Sequence, residues 1–170
     1  MALGNVDIGL ANFWKVTCLD KDGNIKWEED NKNIIVTAGL NHILDVQFHA
    51  TTQVTAWYIG LKGAGTPVAA DTMASHGSWA ELTGYAGNRK EWTEGAASAG
   101  SMTNSSSVDF TINATATVAG AFLNTAATGT SGTLYGVVDF SSSRAVIDGD
   151  TLQVTVTVTA ASALRSREWL

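Results

Sequence analysis

One cysteine, Cys18, stands in the whole chain, so neither an internal disulfide nor a set of thiolate metal ligands can form. Its neighbours Val16, Thr17 and Leu19 read as strand, which makes Cys18 a small buried hydrophobe. Charge is also scarce: 15% of the residues are Asp, Glu, Lys or Arg, against about a quarter in ordinary globular chains. What charge there is sums to −6, with a pI near 4.8, and this acidic balance excludes the basic surface that nucleic-acid phosphates or anionic membranes require. No apolar run approaches the ~18 residues of a membrane span, and the opening "MALGNVDIGLANF" lacks the basic-then-apolar pattern of a signal peptide. The chain is therefore expected to be made in a host cytoplasm. Histidine is limited to His42, His49 and His76, at no spacing that ligates zinc. "GLKGAG" lacks the closing lysine-hydroxyl pair of a phosphate-binding loop. No cofactor and no metal are expected.

In place of charge the sequence is rich in Thr, Ser, Ala and Gly, and it carries six Trp. The 170 residues suit one domain with a modest core. "NFWKVTCL" alternates Phe13, Lys15 and Thr17 with Trp14, Val16 and Cys18, as a half-buried strand does. Asp22-Gly23 turns the chain into "NIKWEED", with Ile25 and Trp27 on one face. From 33 to 49 the period changes: Leu40, Ile43, Leu44 and Phe48 recur at three and four, with Thr37 as the capping residue of one short helix. "VTAWYIGL" reads as a central strand, and 83 to 92 as a weak one broken by Gly84 and Gly87. Residues 95 to 107 look like linker. Val108, Phe110 and Ile112 then share a face, and Leu152, Val154, Val156 and Val158 give the cleanest two-residue period in the chain. These runs predict an all-β fold, an antiparallel jelly-roll-like sandwich of about eight strands with one short helix. Residues 12–160 form the sandwich, 1–11 an extended N-terminal arm and 161–170 a C-terminal tail.

The stretch most suggestive of chemistry is "DTMASHGSWAE", which sets Ser75, His76 and two carboxylates in one short segment. Ser75 and His76 are neighbours, however, and adjacent side chains diverge in helix and strand alike. No nucleophile elbow surrounds them. The stretch reads as a polar loop, with Met73 and Trp79 pointing inward and Asp71 capping a short turn. "DKDGN" at 20 to 24 starts like a calcium loop, but its glycine is fourth and Asn31 stands where a glutamate is needed. Glu28, Glu29 and Asp30 form a charge run at a strand end, the mark of a solvated edge. No catalytic residue is assigned.

The phrases "IIVTAGLNHILDVQF", "TAWYIGL" and "AADTMASHGSWAELTGY", followed by Arg89 and Trp92, resemble a group of small phage virion proteins. So do "SSVDFTINATATVAGAFL", "GTLYGVVDF" and "VIDGDTLQVTVTVTA" in the later portion. Some of that group are similar to jelly-roll decoration (cement) proteins on the outside of tailed-phage heads. The resemblance implies a non-enzymatic homo-oligomer, dimer or trimer, that binds the major capsid protein on the capsid surface of the virion. The terminal apolar residues Leu3, Val6, Ile8 and Leu10, with Trp169 and Leu170, are the expected partner-binding positions. The rival expectation is a receptor- or carbohydrate-binding module of a tail fibre or spike, for which Trp79 and Trp92 are the candidate sugar platforms.

Overall fold

The computed structural model describes the backbone of residues 6–164 and the side chains of residues 9–161. Eleven strands and one helix are present among the described residues. The first sheet is built on the two longest strands, β1 (Val6–Leu19) and β11 (Thr151–Leu164), which run antiparallel in unbroken register from Val6↔Leu164 to Leu19↔Thr151. β2 (Ile25–Lys32) returns from the Asp20–Asn24 turn along the other side of β1. Asp20 carries that turn: its carboxylate accepts the backbone N–H groups of Asp22 and Asn24, each at 2.9 Å, while Gly23 takes φ +84°, open to glycine without strain.

The second sheet holds β3 (Ile34–Ile35), β4 (Tyr58–Gly65), β5 (Trp79–Leu82), β6 (Lys90–Glu91), β9 (Ala116–Asn124) and β10 (Leu134–Val146), in the order β3-β10-β9-β4-β5 with β6 also on β4. Both sheets are antiparallel, and their inner faces enclose the main core. Trp14, Val16, Cys18, Leu152, Val154 and Val156 come from one side and Ile59, Leu61, Ala121, Leu123 and Val138 from the other. The alternation expected along 13 to 18 and 152 to 156 is present in these burials.

β9 and β10 show no such alternation in sequence because both of their faces are covered. Ala121 and Leu123 turn to the main core, whereas Phe122, Leu134 and Val137 turn outward into a second cluster with Val36, Met73 and Trp79. The helix α1 (Thr37–Phe48) and the loop before β5 form this outer layer. Their contact is close: a Cβ on Gly39 would lie 2.2 Å from the Tyr135 carbonyl oxygen, so only glycine lets the helix reach β10.

Several expectations are corrected. Thr37 is the first helical residue, and Val36, extended at φ −74°, occupies the cap; the Thr37 N–H is bonded instead to Ala69 O at 2.8 Å. Leu40, Leu44 and Phe48 are exposed at 40%, 55% and 79%, since α1 docks through Gly39 and the partly buried Ile43 rather than along its leucine stripe. Ile25 is exposed because a register shift at Cys18/Leu19 moves it off the face of Trp27. β4 starts at Tyr58, later than its aromatic run suggests. β7 (Ser101–Thr103) lies in the segment read as linker, and β5 in the segment read as loop. These two, with β3 and β6, are too short to show a period, which is why the strand count exceeds eight.

Positions 6–11 pair with 159–164 as a continuation of the β1–β11 ladder, since the two-residue period that sets the ladder does not stop at the sandwich. Leu10 is half-buried on β1; Val6 and Ile8 are placed only as backbone positions on it. Leu3, Trp169 and Leu170 lie outside the described residues.

Candidate functional site

The buried polar groups show what the side-chain chemistry of this chain does. In "DTMASHGSWAE" the Asp71 carboxylate accepts the Trp79 indole N–H and the Val68 backbone N–H, both at 2.9 Å. His76 stacks on Trp79 with ring centroids 4.2 Å apart, and its Nδ1 faces Thr72 O at 3.1 Å rather than Ser75. Met73 and Trp79 are buried, as expected. Serine, histidine and acid therefore do not meet; the stretch is a lid for the second core cluster.

Arg89 makes four side-chain hydrogen bonds. Its Nε and Nη2 grip Glu81 at 2.8 and 2.7 Å, its Nη1 donates to Ala126 O at 2.8 Å, and Nη2 also reaches Gly129 O at 2.6 Å. The guanidinium lies 5.2 Å from the Phe122 ring centroid. One cation thus ties β5 to the loop joining β9 and β10, in the bidentate geometry only arginine offers.

Asn104 performs a comparable task on the other sheet. β7 pairs with residues 157–159 of β11, and β8 (Val108–Thr111) with 151–154. In the gap the Asn104 side chain replaces a strand: its Oδ1 accepts the Val156 N–H at 2.8 Å and its Nδ2 donates to Val154 O at 2.8 Å. The same Oδ1 takes the Trp92 indole N–H at 2.6 Å. By sequence, Arg89 figures only in the resemblance and Asn104 not as a site residue; an arginine within the charged run Arg89-Lys90-Glu91 and an asparagine before "SSS" were the available signals.

Glu29 clips the two sheets together. It is buried at 5% exposure, against the solvated edge expected of its charge run. Across the sandwich it accepts bonds from Ser141 Oγ at 2.9 Å, from Arg144 Nε at 2.7 Å and from Arg144 Nη2, and on its own strand from Asn31 at 3.2 Å. Burial pushes its pKa up, but the bonds from Arg144, Asn31 and Ser141 outweigh burial and hold it below the ordinary glutamate value. A depressed carboxylate stabilises the fold above its unfolded pKa, and that stability is lost as pH falls through the folded value. Glu29→Gln is accordingly expected to melt well below wild type at neutral pH, with the gap narrowing below about pH 4 in a pH series of thermal denaturation.

Asp150, also buried, accepts the Lys26 ammonium at 2.5 Å and the Ile147 N–H at 2.9 Å. Burial, with this carboxylate beside it, pushes the Cys18 thiol up to about 11, so Cys18 is an inert core residue. Lys62, fully buried, is held by Asp139 at 2.7 Å and by the Gly63 and Gly65 carbonyls. No group of three or more His, Cys, Asp or Glu side chains suited to a metal ion occurs among the described residues.

An apolar cavity of about 150 Å³ opens between the sheets, lined by Trp57, Trp92, Met102, Leu123, Tyr135 and Val158. Trp57 stands at its rim, edge-on to both Tyr135 and His42 at 5.5 Å. Trp79 and Trp92, the expected sugar platforms, are buried at 5% and 4% exposure with their indole N–H groups bonded inside, so neither offers a stacking face.

The sequence matches the family described as Podophage GP4 fiber I protein gp80 over residues 33–161, from β3 through most of β11. The chain belongs to this family. Membership in the Podophage GP4 fiber I protein gp80 family makes it a phage virion component of the fibre kind. No curated protein matches the chain. The match bears out the virion part of the resemblance and favours its fibre alternative over capsid decoration, which rested on a likeness of strand phrases. Such phrases record a fold, and one sandwich serves many roles. The family is a fibre family, and the fibre alternative is the better supported of the two.

Proposed function

We propose that this chain is a non-enzymatic structural module of a virion fibre that presents a contact surface to the host. The observation that carries this reading is the fibre-family match across the sandwich. The geometry supports it: Glu29, Lys62, Asp71, Arg89 and Asp150 are all engaged in ties between strands and loops. The described backbone also has polarity. Both of its ends leave by the β1–β11 pair at one end, whereas the opposite end carries the turns around Asp20, Asp22, Asp148 and Asp150. Attachment through the first end leaves those charged turns free to meet a partner.

Copy number and position on the particle test this. Quantitative mass spectrometry of purified virions and antibody labelling in electron microscopy are expected to find few copies per particle, outside the head shell. Soluble protein added in excess is expected to slow adsorption to host cells. Hundreds of copies over the head surface would overturn the fibre reading and restore capsid decoration.

A further inference from the structure

We infer that the apolar cavity between the two sheets binds a phenol-type group, a single uncharged aromatic ring carrying one hydroxyl. Its floor is Trp92, Leu123 and Tyr135, all buried, and its mouth is Trp57, Met102 and Val158, all partly buried. Met102 and Val158 come from the first sheet, Leu123 and Tyr135 from the second, and the two tryptophans from segments beside β4 and β6. The site therefore exists only once the sandwich has closed.

The walls are fixed. The Trp92 backbone N–H donates to Trp57 O at 2.7 Å, and the Trp92 indole N–H to Asn104 Oδ1 at 2.6 Å. Met102 and Val158 are register partners on β7 and β11, and Trp57 stands edge-on to Tyr135 at 5.5 Å. Walls held in this way do not collapse into the space, and an unfilled void forfeits the dispersion contacts that a guest supplies.

Size and polarity select the guest. The cavity measures about 150 Å³, the volume at which an apolar cavity takes a benzene-sized molecule. Three aromatic residues and a thioether favour an aromatic guest, through edge-to-face and sulfur–ring contacts. No charged residue lines the cavity, so an ionised guest would lose its hydration without gaining a partner. A sugar ring is excluded on similar grounds, since several hydroxyls would be stranded against apolar walls. One buried hydrogen-bonding group is left for the guest. Tyr135 lines the cavity at 6% exposure, and burial alone acts on its phenol, pushing the pKa up to about 12. Neither a hydrogen bond nor a charge from the described residues reaches that hydroxyl. A single neutral hydroxyl on the guest matches it as donor or acceptor. Such a group arrives either as a free molecule or as the tyrosine side chain of a partner protein.

The test is binding to the full chain in solution by isothermal titration calorimetry; it needs no virion, so its outcome is separate from that of the fibre reading. Phenol is expected to bind at one site with a Kd on the order of 1 mM or tighter. Benzene is expected to bind ~5-fold or more weakly, and benzoate not at all. Tyr135→Phe removes only the hydroxyl and is expected to bring phenol down to the affinity of benzene, with benzene unchanged. Val158→Phe sets a ring in the mouth from a partly buried position. It is expected to abolish binding of both, with a thermal midpoint at or above wild type. Competition with N-acetyl-tyrosinamide separates the two sources: displacement of phenol assigns the group to a tyrosine side chain, and no displacement to a free molecule. Absence of saturable phenol binding, benzoate bound as tightly as phenol, or phenol binding unchanged by Val158→Phe would overturn the inference. So would a Tyr135→Phe chain that still prefers phenol to benzene by the wild-type factor.

Discussion

Arg89→Ala is expected to destabilise the fold by about 3–5 kcal/mol, lowering the thermal midpoint by roughly 10 °C. The cost has three sources. Glu81 loses its bidentate partner, the Ala126 and Gly129 carbonyls lose their donors, and the face of Phe122 loses the guanidinium packed against it. Removing one member of a buried pair costs more than the pair contributes, because the remaining charge is left without compensation. Glu81→Gln on the Arg89→Ala background is therefore expected to cost little further, a non-additivity that a double-mutant cycle measures directly. Arg89→Lys is expected to recover less than half the loss, since one ammonium cannot hold a carboxylate in two places and also satisfy two carbonyls. Thermal denaturation of wild type, Arg89→Ala, Glu81→Gln, the double variant and Arg89→Lys checks the set. Additive effects would show that Arg89 and Glu81 do not act as a unit.

Asn104→Ala is expected to cost about 3 kcal/mol or more, from one side chain that touches no ligand. It strands the Trp92 indole N–H, the Val156 N–H and the Val154 carbonyl together, all in the interior. No strand can slide in to replace the amide, because β7 and β8 are already fixed on either side of it along β11. Asn104→Asp separates the two halves of the task. A carboxylate still accepts from Trp92 and Val156, but it has nothing to donate to Val154 O and is charged in a buried place. Protonation restores the missing donor, so the introduced acid has a raised folded pKa. Its stabilisation is present at low pH and lost as pH rises through that folded value. The deficit of Asn104→Asp against wild type is thus expected to be smaller at pH 4 than at pH 7, whereas Asn104→Ala shows no such dependence.

Both predictions concern structure because the described side chains carry structural work. The three histidines are a helix residue packed on Trp57, a helix end and a ring stacked on Trp79, and the carboxylates with unusual burial each have a cation or an N–H donor to hold.

The sequence by itself determined the elements whose pattern is local. The alternation around Trp14, Val16 and Cys18, and around Leu152, Val154 and Val156, was enough to place the two long strands and their buried faces, because one side of each meets water and the other does not. The single helix was legible from its change of period. The tertiary structure alone decided three other matters. α1 turns Leu40, Leu44 and Phe48 outward, because docking depends on the space that Gly39 leaves at Tyr135, and a glycine carries no apolar signal. Glu29, Arg89 and Asn104 became internal ties, because their partners at 144, 81 and 154–156 are brought to them by strand pairing between distant segments. The short strands β3, β5, β6 and β7 formed because neighbouring strands offered them open ladder positions, and none of these segments has enough side chains to announce a face of its own.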